Sequence, residues 1–224
     1  MSARTWPEWE HVLSAAAHLQ VVLPGATLVG GTAAAIYAGH RVSYDADHVL
    51  ADLRDRFDEV LAQLESIAGW RTARVKRPVL ILGNLDGVET GVRQLIRDQP
   101  LDTVDVNVGG VSLVVPTEPE MLRIKAVLIL KRNATRDYLD FVALAERLGP
   151  DRVFAALANL DALYPQPNGE SALQQLQVQL AHPLPYDLDE TNLAEDRRLN
   201  PMWQDWQRVT QRCMVLATDI FRRL

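Results

Sequence analysis

Two carboxylates and a pair of glycines lie close together in the first quarter of the chain. Gly30 and Gly31 follow a short apolar segment, and Asp45 and Asp47 are separated by one residue. Side chains two residues apart on a strand point to the same face, so the two carboxylates are predicted to project together. Mg²⁺ binds through one or two carboxylates and completes its coordination with phosphate oxygens and water. This spacing therefore predicts metal-assisted chemistry on a phosphorylated substrate.

The glycines are predicted to form the phosphate-binding part of the same site. A strand that turns at Gly30-Gly31 into a helix presents backbone N–H groups and the positive end of the helix dipole. Thr32 adds a hydroxyl at this helix start. Phosphoryl-type transfer depends mainly on positioning and charge neutralisation, so it requires a phosphate cradle beside a metal-binding pair.

Further charged residues are candidates for substrate contacts. Lys125 lies in the apolar helical segment L-R-I-K-A-V-L-I-L, where a lysine must either extend to the surface or pair with an acidic group. Asp137 on the next predicted helix is a candidate partner, and an aspartate at a helix start is equally favourable for the helix dipole. His40 and Arg41 are either phosphate contacts or an ordinary polar loop pair.

These segments resemble the polymerase-β-like nucleotidyltransferase superfamily, whose pattern is G-[GS]-[ST], then an acid-x-acid pair, then a third acid. More narrowly, G-G-T-A with H-R-x-S-x-D-x-D resembles the AbiEii-type abortive-infection toxins and the related MenT-type proteins. The later elements R-I-K and R-N-A-T-R-D-Y-L-D also match. The resemblance implies nucleotide contacts by Gly30, Gly31, Thr32, Ser43 and Lys125, metal ligands at Asp45 and Asp47, and catalytic roles for these two aspartates, Lys125 and Asp137. His48 departs from the pattern, which has an apolar or aromatic residue there.

The family pattern also implies a third carboxylate on a later strand, which would join the metal site and activate an acceptor hydroxyl. Asp105 is the expected residue because it alternates with two valines in the segment T-V-D-V-N-V, and Asp102 is the alternative.

The resemblance also implies an activity. The chain would use Mg²⁺ or Mn²⁺ to transfer NMP from an NTP to an acceptor hydroxyl, with an RNA such as tRNA as the acceptor. It would act as the toxin of a toxin-antitoxin or abortive-infection system, with a separate antitoxin protein as partner. Two alternatives stay open, a transferase acting on a small molecule such as an antibiotic and a non-catalytic nucleotide-binding module.

An RNA acceptor would require a local basic groove. The candidate residues for such a groove are Arg71, Arg74, Lys76, Arg77, Arg93, Arg97, Lys131 and Arg132.

The predicted elements supply the frame that must position these residues. A helix over 8–20 precedes a short strand, the glycine turn and a second helix, and strands with one intervening helix follow from 45 to 115. Beyond residue 116 the spacing of apolar residues is helical almost throughout. We therefore predict an α+β fold: a mixed-sheet nucleotidyltransferase core over 1–115 and a helical bundle over 116–224 that completes the active-site cleft.

Composition limits the other possibilities. The net charge of −6 argues against a globally basic nucleic-acid surface, so any polyanion binding must be local. The apolar runs are far shorter than the ~20 residues that cross a bilayer, so no membrane passage is expected. The single cysteine, Cys213, falls on an apolar helical stripe and is predicted to be a buried, inert thiol, which fits a reducing cytoplasm.

Overall fold

The protein is described by a computed structural model, which covers residues 7–167 and 169–223. Contacts divide the chain into two compact units. The first contains the described residues up to Ile36 together with Val42–Thr117, and the second contains Tyr37–Arg41 and the described residues from Glu118 onward. Strands fall in the first unit and most helices in the second, so the predicted α+β class with a mixed sheet is confirmed.

The first unit is built on a five-stranded sheet. Its elements are α1 (Pro7–Val22), β1 (Thr27–Leu28), α2 (Gly30–Ala38, whose last residues belong to the second unit), β2 (Asp45–Leu50), α3 (Phe57–Glu65), β3 (Trp70–Lys76), β4 (Leu80–Leu85), β5 (Val88–Gln94), β6 (Thr103–Val108) and β7 (Val111–Pro116). The strand order is β1-β2-β5-β4-β3, in which only the β2–β5 pair is parallel. Strands β6 and β7 form a separate two-stranded sheet.

The two faces of the five-stranded sheet differ in burial. In β2, Ala46, His48 and Leu50 are buried, whereas the alternate residues Asp45, Asp47 and Val49 are partly exposed. Helix α1 packs against β2 and β5, and α3 packs against β3. We call the face that carries Asp45, Asp47 and Val49 the outer face. Strand alternation thus places the predicted metal ligands on the less buried face.

The second unit is helical. Its elements are α4 (Glu118–Arg132), α5 (Thr135–Leu148), α6 (Pro150–Leu157), α7 (Leu160–Leu163), α8 (Ala172–Ala181), a 3-10 turn (Pro201–Trp203) and α9 (Trp206–Arg223). The spacing of apolar residues over 152–163 predicts one continuous helix. That prediction is wrong, because the helix ends after Leu157 and a new one starts with Asn159 at the N-cap of α7. Within the described residues, no helix is both long and apolar enough to span a bilayer.

Two local predictions for this unit have different outcomes. Cys213 is buried and unpaired in α9, and burial raises the pKa of its thiol to about 12, as expected for an inert cysteine. The sequence predicts Thr135 or Asn133 as the cap of α5, but the N-cap is Ala134, which makes no side-chain cap bond. Asp187, far along the chain, instead accepts bonds from the Thr135 N–H and hydroxyl, both at 2.7 Å.

Candidate functional site

The glycine bend lies directly against Asp47. Gly30 has φ of +73°, a left-handed conformation that glycine adopts without strain, and it begins α2. The Val29 N–H donates to the Asp47 carbonyl at 2.8 Å, which joins the bend to β2. A Cβ added to Gly30 would lie 3.3 Å from both Cβ and Oδ2 of Asp47. The structure therefore brings together the two motifs that were separated in the sequence.

Asp45 and Asp47 share the outer face, as predicted from their spacing. Both side chains are partly exposed, while Ala46 and His48 between and after them are buried. The buried hydroxyl of Ser43 donates to Oδ1 of Asp45, which fixes the orientation of that carboxylate. The two acids are thus held beside the bend by local bonds.

Thr32 has a structural contact that the sequence did not indicate. Its hydroxyl donates to the Asp45 carbonyl at 2.5 Å, and the residue is only 1% exposed. The hydroxyl therefore ties the first turn of α2 to β2. The first backbone N–H groups of a helix have no partner within it, so they are the donors that a phosphate at this helix start would require.

Asp105 is not brought to the acidic pair. It lies exposed on β6, which pairs with β7 and not with the five-stranded sheet, and Asp102 is exposed just before that strand. Among the described residues, no three His, Cys, Asp or Glu side chains are grouped so that they could hold a metal ion. The expected three-carboxylate arrangement is therefore corrected to a pair, because β6 leaves the sheet.

The strand that pairs with β2 on the far side from β1 is β5, and its residues lie next to Asp45 and Asp47. Its parallel register sets Glu89 beside Asp45 and Gly91 beside Asp47, so Glu89 lies on the same face and is exposed. Two residues further, Arg93 Nε lies 3.6 Å from Asp47 Oδ1. The sequence analysis missed Glu89, because alternation can predict a strand at 88–96 but cannot show that this strand pairs with β2.

The chemistry of these donors fits a divalent cation. Asp45 and Asp47 offer hard oxygen ligands, and Mg²⁺ or Mn²⁺ needs few protein carboxylates when substrate phosphates and water complete the coordination. Glycines border Asp47 on two sides, since a Cβ on Gly91 would lie 3.8 Å from its Oδ1. A Cβ on Gly91 would also lie 2.5 Å from Leu82 Cδ2, so the Leu82 side chain covers Gly91 beside Asp47.

In the second unit, Lys125 is buried among acids. It is 3% exposed, and its Nζ lies 2.7 Å from Asp140 Oδ2 and 3.1 Å from Asp137 Oδ1. The predicted pairing of Lys125 with Asp137 is confirmed, and the alternative of a surface-reaching lysine is wrong. Arg132 Nε also donates to Asp137 Oδ2 at 3.0 Å.

Asp140 is the centre of this arrangement. Arg41 donates to its two oxygens at 2.8 and 3.1 Å, and His40 Nε2 lies 2.6 Å from Oδ1. We call His40, Arg41, Lys125, Asp137 and Asp140 the Asp140 cluster. The sequence analysis missed Asp140, although its spacing of three from Asp137 on a helix indicates a shared face. His40 and Arg41 are therefore not an exposed loop pair.

The electrostatics of the cluster follow from burial and pairing. Burial alone would raise the pKa of Asp140, but Arg41 and Lys125 hold it well below its usual value. Burial would lower the pKa of Lys125, yet Asp140 and Asp137 raise it. Burial lowers the pKa of His40. A neutral His40 must carry its proton on Nε2 to bond the carboxylate, and Nδ1 has no partner among the described atoms.

The Asp140 cluster holds a charged lysine in place within its own unit. Lys125 and Asp137 bond each other, so their participation in a nucleotide pocket, implied by the resemblance, stays a prediction.

No protein-family model matches the sequence. Part of the chain is similar to segments of much longer transport proteins. Over 124 residues, or 54% of this chain, it is 34% identical to the heme uptake protein MmpL11 of Mycobacterium tuberculosis, and the match spans 12% of that protein. It is 32% identical over 124 residues to the mycolic acid-containing lipids exporter MmpL11 of Mycolicibacterium smegmatis, of which 13% is covered.

Solved structures with similar folds cover more of the chain. JHP933 from Helicobacter pylori aligns over 98% of this chain and 94% of its own, with a TM-score of 0.59 and 15% identity. A candidate nucleotidyltransferase from H. pylori aligns over 100% and 97%, with a TM-score of 0.56 and 14% identity. The antibiotic-resistance factor ANT(2'')-Ia aligns over 69% and 90%, with a TM-score of 0.50 and 15% identity. The chain therefore has the fold of nucleotidyltransferase-like proteins.

Proposed function

We propose that this protein is a metal-dependent nucleotidyltransferase that transfers NMP from an NTP to an acceptor hydroxyl. The observation that carries the proposal is the contact between the Gly30 bend and Asp47, with Asp45 on the same face. The bend that would bind phosphate and the two carboxylates that would bind a metal are thereby adjacent, and this supports transfer from a triphosphate.

Each residue of this site has a proposed role in binding or transfer. Asp45 and Asp47 would hold Mg²⁺ or Mn²⁺, which when bound neutralises the triphosphate and favours attack at the α-phosphate. Backbone N–H groups at Gly31 and the start of α2 would bind phosphate oxygens. Ser43 keeps Asp45 oriented. Glu89, the register neighbour of Asp45, would accept the proton of the acceptor hydroxyl, and pyrophosphate would leave.

The acceptor that we propose is an RNA such as tRNA. The sequence resemblance to AbiEii-type and MenT-type proteins supports this acceptor, and with it a role as a cytoplasmic toxin that is restrained by an antitoxin protein. The fold similarity to ANT(2'')-Ia, an antibiotic-resistance factor, supports the alternative of a small-molecule acceptor.

To test the proposal, the protein is incubated with labelled NTP, Mg²⁺ and either total tRNA or an aminoglycoside mixture, and transfer of label to the acceptor is measured. We expect label on RNA with the natural protein, and loss of transfer by orders of magnitude in Asp45→Asn/Asp47→Asn with the fold intact. Asp105→Asn is the matched control and should retain activity, whereas Glu89→Gln should lower kcat. Unchanged transfer in the double variant would disprove the assignment. Label on the drug would identify a small-molecule enzyme.

A second candidate is a non-catalytic nucleotide-binding module that serves a transport protein. Two observations favour it: Arg93 lies against Asp47, and the related segments of MmpL11 belong to large transport proteins. Calorimetry would then detect binding of an NTP with Mg²⁺, and no labelled product would form with any acceptor.

A further inference from the structure

The edge strand β3 carries a concentration of positive charge in a protein whose net charge is −6. Strand β3 ends the five-stranded sheet, and all of its residues after Trp70 are exposed. Arg71, Arg74 and Lys76 make no side-chain hydrogen bond or ion pair with any other described residue. A buried or ion-paired side chain cannot readily bind an anionic partner, but these three side chains are exposed to solvent.

A β-bulge brings these three cations to one face. Arg71 and Arg74 are three residues apart, which in a regular strand would place them on opposite faces. The register shifts between Thr72 and Arg74, so Arg71 pairs with Asn84, Arg74 with Leu82 and Lys76 with Leu80. The partners on β4 alternate regularly, and therefore all three cations point to the same face of the sheet.

That face is the outer face, which carries the acidic pair. The register runs from Asp47 to Gly91 on β5, from Gly91 to Leu82 on β4, and from Leu82 to Arg74 on β3. Three strand spacings separate Asp47 from Arg74, or roughly 14 Å. Gly91 and Leu82 are the uncharged residues between Asp47 and Arg74, and Glu89 and Arg93 of β5 lie on either side of Gly91 on the same face.

We propose that the outer face binds a short single-stranded RNA segment, with its phosphates on Arg71, Arg74 and Lys76 and its terminal hydroxyl at the acidic pair. This rests on the proposed function, because it assigns the surface that holds the acceptor. The cations follow each other along β3 at roughly 7 Å, the spacing of alternate residues in a strand, so they form a line that suits successive phosphates. Arg93 stands between the line and Asp47 on the same face.

A membrane surface and protection of the sheet edge are two alternative roles for this charge, and they lead to different expectations. A membrane surface would need exposed apolar side chains beside the cations. Leu80 and Leu82, which lie beside them on β4, are only partly exposed. Val75, the exposed valine of β3, pairs with Ile81 and therefore faces the other side of the sheet. Charges on an edge strand also prevent pairing with other chains. That protection predicts a change in oligomeric state when the cations are removed, and no change in RNA binding.

The experiment measures the fluorescence anisotropy of a labelled single-stranded RNA of about 12 nucleotides, without NTP or divalent metal. The full chain is compared with Arg71→Ala/Arg74→Ala/Lys76→Ala over a range of salt concentrations. We expect the variant to bind at least about tenfold more weakly at low salt. The slope of log K against log salt should fall by about 2, since each phosphate contact contributes about 0.7.

The matched control is Arg54→Ala/Arg208→Ala/Arg222→Ala, which removes the same charge from exposed positions outside the strands of the sheet. It should leave the salt slope within about 0.5 of the natural value. Equal losses in the two triple variants would overturn the inference. So would a β3 variant that oligomerises and still binds RNA, or binding of phosphatidylserine vesicles in place of RNA.

Failure of the proposed function can be recognised separately. Binding of ATP with Mg²⁺ and transfer of label are measured on the same proteins. If RNA binding depends on β3 but the protein transfers no label, the proposed enzymatic activity is wrong and the proposed RNA-binding surface is supported. If transfer of label to RNA is unchanged in the β3 variant, the enzymatic activity is supported and the proposed RNA-binding surface is wrong.

Discussion

Gly30 occupies a position where both backbone and space exclude a side chain. Its φ of +73° is unfavourable for other residues, and a Cβ would press on Asp47 at 3.3 Å. We expect Gly30→Ala to weaken binding of an NTP with Mg²⁺ by at least about tenfold, because Asp47 must move. Calorimetric titration measures this effect.

The control for this prediction is Gly39→Ala. Gly39 also has positive φ, at +58°, but a Cβ there would meet no atom within 4 Å. Both variants should lose stability, and only Gly30→Ala should lose nucleotide affinity. Similar losses of affinity in both would show that backbone strain, and not the contact with Asp47, is responsible.

Arg93 competes with any cation at Asp47. Its Nε lies 3.6 Å from Asp47 Oδ1, and both side chains are partly exposed. An exposed ion pair contributes ~0.2–1 kcal/mol, so Arg93→Ala should raise the Mn²⁺ affinity of the free protein by about two- to fivefold. Arg71→Ala removes the same charge from β3, which is further from Asp47 on the outer face, and should change the Mn²⁺ affinity less than Arg93→Ala does. An unchanged or lower affinity in Arg93→Ala, followed by calorimetry, would contradict the prediction.

Among the helices, α4 and α5 carry the buried charged residues of the Asp140 cluster, and α2 leads into His40 and Arg41. Helix α2 begins at the Gly30 bend in the first unit, and its last residues lie in the second. In the second unit, the residues that follow α2 are held by Asp140 of α5, which also binds Lys125 of α4. The Asp140 cluster is thus a buried polar link among three segments.

Breaking this cluster should be costly. Asp140→Asn leaves Arg41 and Lys125 buried without their shared anion, and we expect a loss of about 3–5 kcal/mol in the free energy of unfolding. Urea denaturation followed by circular dichroism measures this change. Asp151, whose side chain is 92% exposed in its pair with Arg223, provides the control, and Asp151→Asn should cost less than ~1 kcal/mol. Comparable losses in the two variants would rule out a special contribution from the cluster.

For the whole molecule, stability is expected to depend on pH through a buried histidine. His48 is fully buried in β2, and burial lowers its pKa from 6.5 to about 4. Between these values the unfolded chain binds the proton more tightly, so stability is full above about pH 6.5 and falls as the pH drops towards 4. The shift corresponds to a loss of roughly 3 kcal/mol. Urea denaturation between about pH 7 and 4 measures this loss.

The variant His48→Leu should remove this part of the pH dependence. His182→Gln, which replaces an exposed histidine, should follow the curve of the natural protein. If the curves of His48→Leu and the natural protein stay parallel down to about pH 4, the burial of His48 does not cause the loss of stability.

Local periodicity was enough to predict most elements and part of the candidate site. Alternation along β2 places Asp45 and Asp47 on one face whatever the strand pairs with, since that face is a property of the strand itself. The glycine pair predicted a bend before a helix for the same local reason. The resemblance added Lys125 and Asp137, whose pairing the structure confirms.

Only the tertiary structure decided which strands and helices meet. Asp105 has a suitable local pattern but lies on a hairpin apart from the main sheet, while Glu89 gains its place from the pairing of β5 with β2. Likewise, the cap of α5 comes from Asp187 and the centre of the buried cluster is Asp140. The direction of a side chain follows from a few neighbouring dihedral angles, whereas its partners depend on the free energy of packing distant segments, which no local pattern contains.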